Sequence, residues 1–505
     1  MPDLWLVVLC ILLAGVVFVL LRPKRHHLPV YIGDQEHISK IMGSIEMKRA
    51  PWEVFDGLAK KYGPICSFHV GRQPVVVLSS SQLAGDLLEK RGDIYSSRPR
   101  LIMANDILGG GLRGVTSPYG DYWRRWRKLQ HAGMSARATL AYREHQTLES
   151  TVLLRDLLRH PNGYRDIIQR FSASIVISIS YGRRASSLED TVVKANVASI
   201  EAYLRAAAPG KFLVDAWPIL LKLPRRLQWF RHAADRKHAK ETKYNLQLLQ
   251  DVQKRMDAGI NKECMASRTL EALAEGEYEG VNKVELAFGV AAPFAAGVDT
   301  TAGSIEYALV AIMCYPSVAR KVRAELDEVI GRSRLPTFED EPVLPYLQNF
   351  LRELVRWRPV VPLAVPHSVT QDDIVLGACI PKGATVYGNI YTMMQDPNMF
   401  PNPSQFLPER FDDKALQNMV LPFGFGRRSC PGAHVALQSL FIVVARLLWT
   451  FDVVGPNPDP NAHVNHGLVR TPAPFKFTLR ARDDNALKCL ETEVAHADRK
   501  LLEWE

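Results

Sequence analysis

Apolar positions recur every three to four residues through most of the middle of this chain, and that spacing predicts helices. It is clearest in KYNLQLLQDVQKRM and PSVARKVRAELDEVI, and from about residue 120 to 330 the pattern is mainly helical. A long helix is predicted over 283–314, and a strongly apolar one after residue 431. Strand signals are fewer. ICSFHVGRQPVVVLSS carries β-branched runs broken by glycine and proline, DDIVLGACIPKGATVYGNIY turns at Pro381-Lys382-Gly383, and a short strand is expected near FKFTLRA. The last 25 or so residues read as an exposed charged helix. The expected fold class is mainly α with minor β, without internal repeats.

One apolar run breaks the pattern. Residues 4–21, LWLVVLCILLAGVVFVLL, contain no polar residue and would span roughly 27 Å as a helix. Arg22, Lys24 and Arg25 follow it and only Asp3 precedes it, so the positive-inside rule leaves the rest of the chain cytosolic. A cleaved signal peptide would need a basic start and a shorter apolar stretch. The expected layout is an N-terminal transmembrane anchor (1–21), a linker (22–50), a catalytic domain (51–480) and a C-terminal tail (481–505). A formal charge of +10 suits an anionic partner such as a membrane surface or an acidic protein. No basic tract with interleaved aromatics points to nucleic acid. Seven scattered cysteines without a CxxC pair are not a disulfide framework and fit a reducing compartment.

Several short motifs could carry chemistry. GGGLRG (109–114) has the G-x-G-x-x-G spacing, but no strand precedes it and Pro118 follows, so it reads as a loop and no nicotinamide or flavin site is evident. In AAGVDTT (295–301), the Thr300 hydroxyl can bond the Ala296 carbonyl, and Ala296 with Gly297 allows local loosening of the helix. A plain core helix is the competing reading. In ELVR, Glu353 and Arg356 share a helix face; PERF offers Arg410; WRRWR sets Trp123 and Arg127 one turn apart.

FGFGRRSCPG (423–432) raises the sharpest question, a solitary cysteine followed by Pro431 at an expected helix start. Free amides and the helix dipole there would favour a thiolate. A zinc ligand, a nucleophile and an inert thiol all compete. Only His434 lies at zinc-ligand spacing, and His367, His463 and His466 bring no Cys–His signature. A single sulfur without companions suits a cofactor that supplies the remaining ligands, as haem does.

Taken together, these motifs give a chain that resembles the cytochrome P450 family. Residues 423–432 fit F-x-x-G-x-R-x-C-x-G, its haem-binding loop, and AGVDTT, ELVR and PERF occur upstream in the family's order. The resemblance covers roughly residues 50–480, and the anchor and layout look like a microsomal, fungal member. It implies a fold with the haem between the long central helix and the cysteine-loop helix. It implies Cys430 as the iron's axial thiolate, Phe423 packed over it, and Gly426 and Gly432 making room. Arg428, Arg127, Trp123 and His367 would contact the propionates. Glu353, Arg356 and Arg410 would form a buried structural triad. Ala296 and Gly297 would form an oxygen-binding kink, with Thr300 and Asp299 relaying protons. The proline-rich hinge usual after such anchors is reduced here to Pro23 and Pro29.

The resemblance further implies a haem-thiolate monooxygenase using haem b (heme b), O2 and electrons from an NADPH–cytochrome P450 reductase, with cytochrome b5 as a further donor, at the endoplasmic reticulum membrane. Arg124, Arg125, Lys128 and Arg427 are candidates for docking an acidic flavoprotein. The implied pocket includes the 101–115 loop, Phe294, Ala295, Val360, Val361, Leu363, Val365, Leu468 and Val469. Its apolar character suits a lipophilic substrate, with a terpenoid or other secondary metabolite set against xenobiotics in general. A reductase-independent isomerase or dehydratase and a haem-binding sensor are the rival readings; retention of Asp299 and Thr300 argues against both.

Overall fold

Alternating β-branched residues in ICSFHV and QPVVVL form the hairpin of β1 (Ile65–Val70) and β2 (Gln73–Leu78), in register from Ile65↔Leu78 to Val70↔Gln73. The computed structural model describes residues 50–505 except 71, 209 and 279, so the 1–21 anchor and most of the 22–50 linker lie outside the described residues. The chain divides into two units.

The first unit takes the described residues up to Pro99, with Leu363–Met393 and Phe425–Arg428. In its four-stranded sheet, ordered β1-β2-β6-β3, β6 (Thr385–Gly388) runs parallel to β2 and antiparallel to β3 (His367–Ser368). A separate pair, β4 (Asp373–Val375) and β5 (Ala378–Ile380), turns through Leu376 and Gly377, both at positive φ, the geometry that tight hairpins favour. Helix α1 (Pro51–Tyr62) starts on a proline and buries Trp52 and Phe55, with Phe55 against Phe68 and Tyr387 of the sheet.

The second unit holds the remaining longer helices: α2 (Asp121–Met134), α3 (Arg143–Arg159), α4 (Tyr164–Tyr181), α5 (Thr191–Ala207), α6 (His232–Asp257), α7 (Met265–Ala274), α8 (Lys283–Cys314), α9 (Pro316–Val329), α10 (Pro345–Trp357), α11 (Ala433–Thr450) and α12 (Asp484–Leu501). Two small ribbons join them, β7 (Phe451–Val454) with β10 (Thr478–Ala481) and β8 (His463–His466) with β9 (Val469–Pro472). At 32 residues α8 is about 48 Å long, and it is apolar on most sides because neighbours cover most of it. It packs antiparallel along α4, with Val176 beside Gly297 at one end of the contact and Arg165 beside Glu306 at the other. Phe171 and Ile175 of α4, Leu309 and Ile312 of α8 and Leu440 and Val444 of α11 belong to one core cluster. Among the described residues, α11 is long and apolar enough to cross a membrane, but its sides are buried in this core.

The tail expected as an exposed charged helix instead buries one face. Leu501 and Trp504 pack with Leu148 and Val152 of α3, and the Trp504 ring lies 4.4 Å from that of His145. Beside them, Glu149 accepts hydrogen bonds from Arg170 (2.5 Å), Ser174 (2.8 Å) and Arg184 (3.1 Å). Burial alone would raise its pKa, but Arg170, His145 and Arg184 together hold it down at about 2.

Candidate active site

Chain geometry around Cys430 begins with a short 3-10 turn, Leu421–Phe423, and Gly424 at φ 84°, a conformation that favours glycine. The loop folds back so that the Cys430 amide donates to the Phe423 carbonyl at 2.7 Å. Arg127 of α2 donates to the Ser429 carbonyl at 2.6 Å and to the Ser429 hydroxyl at 3.3 Å. Arg127 thus grips the loop one residue before the cysteine. One turn earlier on α2, Trp123 is buried and stacks at a tilt 5.3 Å from Tyr119.

Two expectations about the thiol change. Helix α11 begins at Ala433, capped by Gly432, so Pro431 stands before the helix rather than in its first turn. The Cys430 pKa is pushed up, not down: desolvation dominates, and the Gly432 amide and the Arg127 charge only partly oppose it. The side chain nevertheless has exposed surface. A single sulfur with an amide and a guanidinium favouring its anion fits an axial ligand of haem iron.

Helix α8 meets the same requirement. It is buried on either side of a short window in which Ala295, Ala296 and Asp299 are exposed and Gly297 and Thr300 half-buried. The Thr300 hydroxyl donates to the Ala296 carbonyl at 2.6 Å, as its spacing suggests. No break accompanies it: the segment expected to kink runs as continuous α-helix from Lys283 to Cys314. Gln169 of α4 donates to Asp299 at 3.3 Å. Phe294, expected in the pocket, is 1% exposed and sits in a core cluster with Val176 and Val290, its position being about 100° round the helix from exposed Ala295. Val360 and Val361 are half-buried, with Val360 3.5 Å from where a Cβ on Gly303 would stand. Leu468 is exposed at the β8–β9 turn and Val469 half-buried beside it.

Glu353, Arg356 and Arg410 come together. Arg356 pairs with both Glu353 oxygens at 2.6 and 2.8 Å, and its remaining donors reach the carbonyls of Met394, Pro403 and Gln405. Arg410 approaches Glu353 at 3.4 Å, and the Leu407 amide donates to the same carboxylate at 2.8 Å. Glu353 and Arg356 are wholly buried.

In the first unit, the Arg428 Nε donates to the Ser96 carbonyl at 2.7 Å and His367 Nδ1 to the Tyr95 carbonyl at 2.8 Å. Gly426, at φ 48°, lies where a Cβ would fall 2.6 Å from the Leu88 carbonyl oxygen. Leu363 packs in the cluster containing Trp52 and Phe68, and the carbonyl of half-buried Val365 accepts from Arg98 at 2.5 Å. Burial pushes the His367 pKa well down, with the Arg98 and Arg428 charges adding to it, so its imidazole is neutral at physiological pH. Arg98 itself falls to about 9 through burial. Sequence reasoning missed Arg98. Its only signal was position, in SSRPR, and nothing in that string announces that the arginine is buried.

The cations expected to dock a partner fall into two groups. Arg125 is held by both oxygens of Glu285 at 3.0–3.2 Å and is committed to the start of α8. Arg124 pairs with Asp121, and Lys128 reaches the Glu277 carbonyl at 3.3 Å; both remain exposed.

These features agree with comparison to known proteins. The Cytochrome P450 family profile matches residues 38–479. Cytochrome P450 monooxygenase 58 of Postia placenta is 35% identical over 471 residues, covering 90% of this chain and 89% of that protein. A cytochrome P450 monooxygenase of Armillaria gallica is 33% identical, covering 97% of each. A zebra fish cytochrome P450 solved with progesterone superposes with a TM-score of 0.70 at 25% identity, over 86% of this chain and all of that one. With a family match spanning most of its length and fungal monooxygenases as relatives, this chain belongs to the cytochrome P450 family and is a monooxygenase.

Proposed function

We propose that this chain is a haem-thiolate monooxygenase that hydroxylates or otherwise oxidises a lipophilic, terpenoid-like molecule in fungal secondary metabolism, with electrons from an NADPH-dependent reductase. The observation that carries this reading is Cys430, a cysteine with exposed surface whose loop is held by Arg127 on Ser429 and by the Phe423 carbonyl on its own amide. When bound, haem b supplies the activation of O2, and its thiolate ligand favours O–O cleavage.

The chain's own residues do the rest. Arg127 and the Phe423 carbonyl fix the loop that carries Cys430. The family resemblance assigns propionate contacts to Arg127, Trp123, Arg428 and His367, and charge-assisted bonds of this kind contribute about 1.5–3 kcal/mol each. Ala296, small and exposed, leaves room beside α8. Thr300 and Asp299 hold and pass the protons that dioxygen cleavage consumes. Glu353, Arg356 and Arg410 serve architecture and touch no reactant. Val360, Val361, Val469 and Leu468 shape an apolar lining; the zebra fish relative, solved with progesterone and with abiraterone, supports a rigid lipophilic ligand.

Membrane attachment in the endoplasmic reticulum rests on the apolar 4–21 run. It gains support from Leu213, Ile219, Leu227 and Trp229, which are 58–67% exposed and interleaved with Lys211, Lys222, Arg225 and Arg226. Arg124 and Lys128 remain the α2 cations available to an acidic reductase or cytochrome b5; Arg125 is not. The test is a carbon monoxide difference spectrum of the reduced, haem-loaded protein. The thiolate band from which the family takes its number is expected in wild type and absent from Cys430→Ala. Its absence from wild type would sink the reading.

A further inference from the structure

Two acidic side chains lie along the seam between α8 and α4, each facing a nitrogen donor. Asp299 receives the Gln169 amide at 3.3 Å, and two turns further along α8 Glu306 faces Arg165 at 3.5 Å. Gln169 and Arg165 are four residues apart on α4, so the two pairs are successive rungs on one helix face. Glu306 is unusual. It is 4% exposed, and its Oε2 makes no hydrogen bond even though Arg165 is within ion-pairing distance. Arg165 is itself partly exposed and spends a short bond of 2.5 Å on the Pro472 carbonyl. A further ionisable neighbour is Tyr307 on α8, itself close to Arg470 of β9 and to Arg358. A buried carboxyl with one unsatisfied oxygen is more stable protonated than charged. Desolvation accordingly raises the Glu306 pKa to about 7, with Arg165 lowering it and the Asp299 charge raising it.

We propose that Glu306 is an outer proton-holding station that acts through Asp299. Glu306 in its acid form loses one proton, the Asp299 carboxylate gains one, and water along the seam carries it across the two turns. Glu306 then regains a proton from bulk water at the Arg165 edge. No electrons move in the exchange. Glu306 is thus a positioning residue for the monooxygenase reaction, and the inference rests on the haem-thiolate function proposed for this chain.

Infrared pH titration of the full-length protein tests it without turnover. A protonated-carboxyl band should disappear with a midpoint near pH 7 in wild type and be missing from Glu306→Gln. Arg165→Gln should move the midpoint up and Asp299→Asn should move it down, since each removes a named neighbour. Both variants also keep the test informative if Glu306→Gln folds poorly. In parallel, NADPH oxidation with a reductase and no added substrate should fall about tenfold below neutrality in Glu306→Gln, less than loss of a direct proton donor. Its decline above pH 7 should also flatten. A band that persists in Glu306→Gln, or a pH profile superimposable on wild type, overturns the proposal. Each variant should keep its carbon monoxide band, so that failure here is distinct from failure of the haem-thiolate reading.

Discussion

Glu353 shows how much one side chain can organise. Its carboxylate takes two donors from Arg356, one from Arg410 and one from the Leu407 amide, with no water-exposed surface. Buried charge is tolerable only when it is so surrounded. Glu353→Gln should therefore cost about 3–5 kcal/mol, because it leaves two buried guanidinium groups without their counter-charge. Chemical denaturation of the haem-loaded protein checks this, and the same substitution should shorten haem retention while leaving the thiolate band in the surviving fraction. In the sequence, Glu353, Arg356 and Arg410 were legible only through the family pattern. Charges three apart on a helix are common, and nothing local distinguishes a buried pair from a surface one.

Element by element, periodicity served long helices best. The 283–314 expectation coincides with α8, because a helix covered by neighbours along most of its length keeps a continuous apolar signal. What it could not show was local detail inside that helix. Small residues at Ala296 and Gly297 suggested loosening, whereas the backbone stays α-helical and Gly297 serves packing. A Cβ there would lie 2.5 Å from Val176 Cγ1 of α4. Valine is stiff at χ1 and cannot swing aside cheaply. Gly297→Ala should thus push the two helices apart at a cost of about 1–3 kcal/mol. Val176→Ala on that background should recover most of the loss, and the non-additivity is measurable as a thermal-unfolding double-mutant cycle. The start of α11 shows a related limit. Pro431 marks where a helix can begin, whereas its hydrogen-bonded turns begin only at Ala433.

At the scale of the whole molecule, two buried glutamates pull stability in opposite directions with pH. The folded pKa of Glu149 is depressed, so its contribution is present above about 4.5 and is lost as pH falls towards about 2. The folded pKa of Glu306 is raised, so the folded state gains nothing from it above about 7 and is favoured as pH drops through that value to about 4.5. Glu149→Gln should accordingly destabilise the protein by a few kcal/mol at neutral pH and by much less at pH 2–3. Unfolding midpoints measured across that range check the sign. Neither carboxylate was singled out in the sequence, because desolvation depends on what the fold stacks around a residue and leaves no trace in its neighbours along the chain.

The parallel pairing of β2 with β6 also has a bearing on how the protein is made. Val75 meets Thr385, 310 residues later in the chain. During synthesis at roughly 5–20 residues per second, that partner emerges about 15–60 s after β2 does. Throughout that interval Val75, Val76, Val77 and Leu78 present an apolar edge able to pair with any other strand. The sheet is consequently a late event in biogenesis, and that edge goes without its native partner until residue 385 arrives.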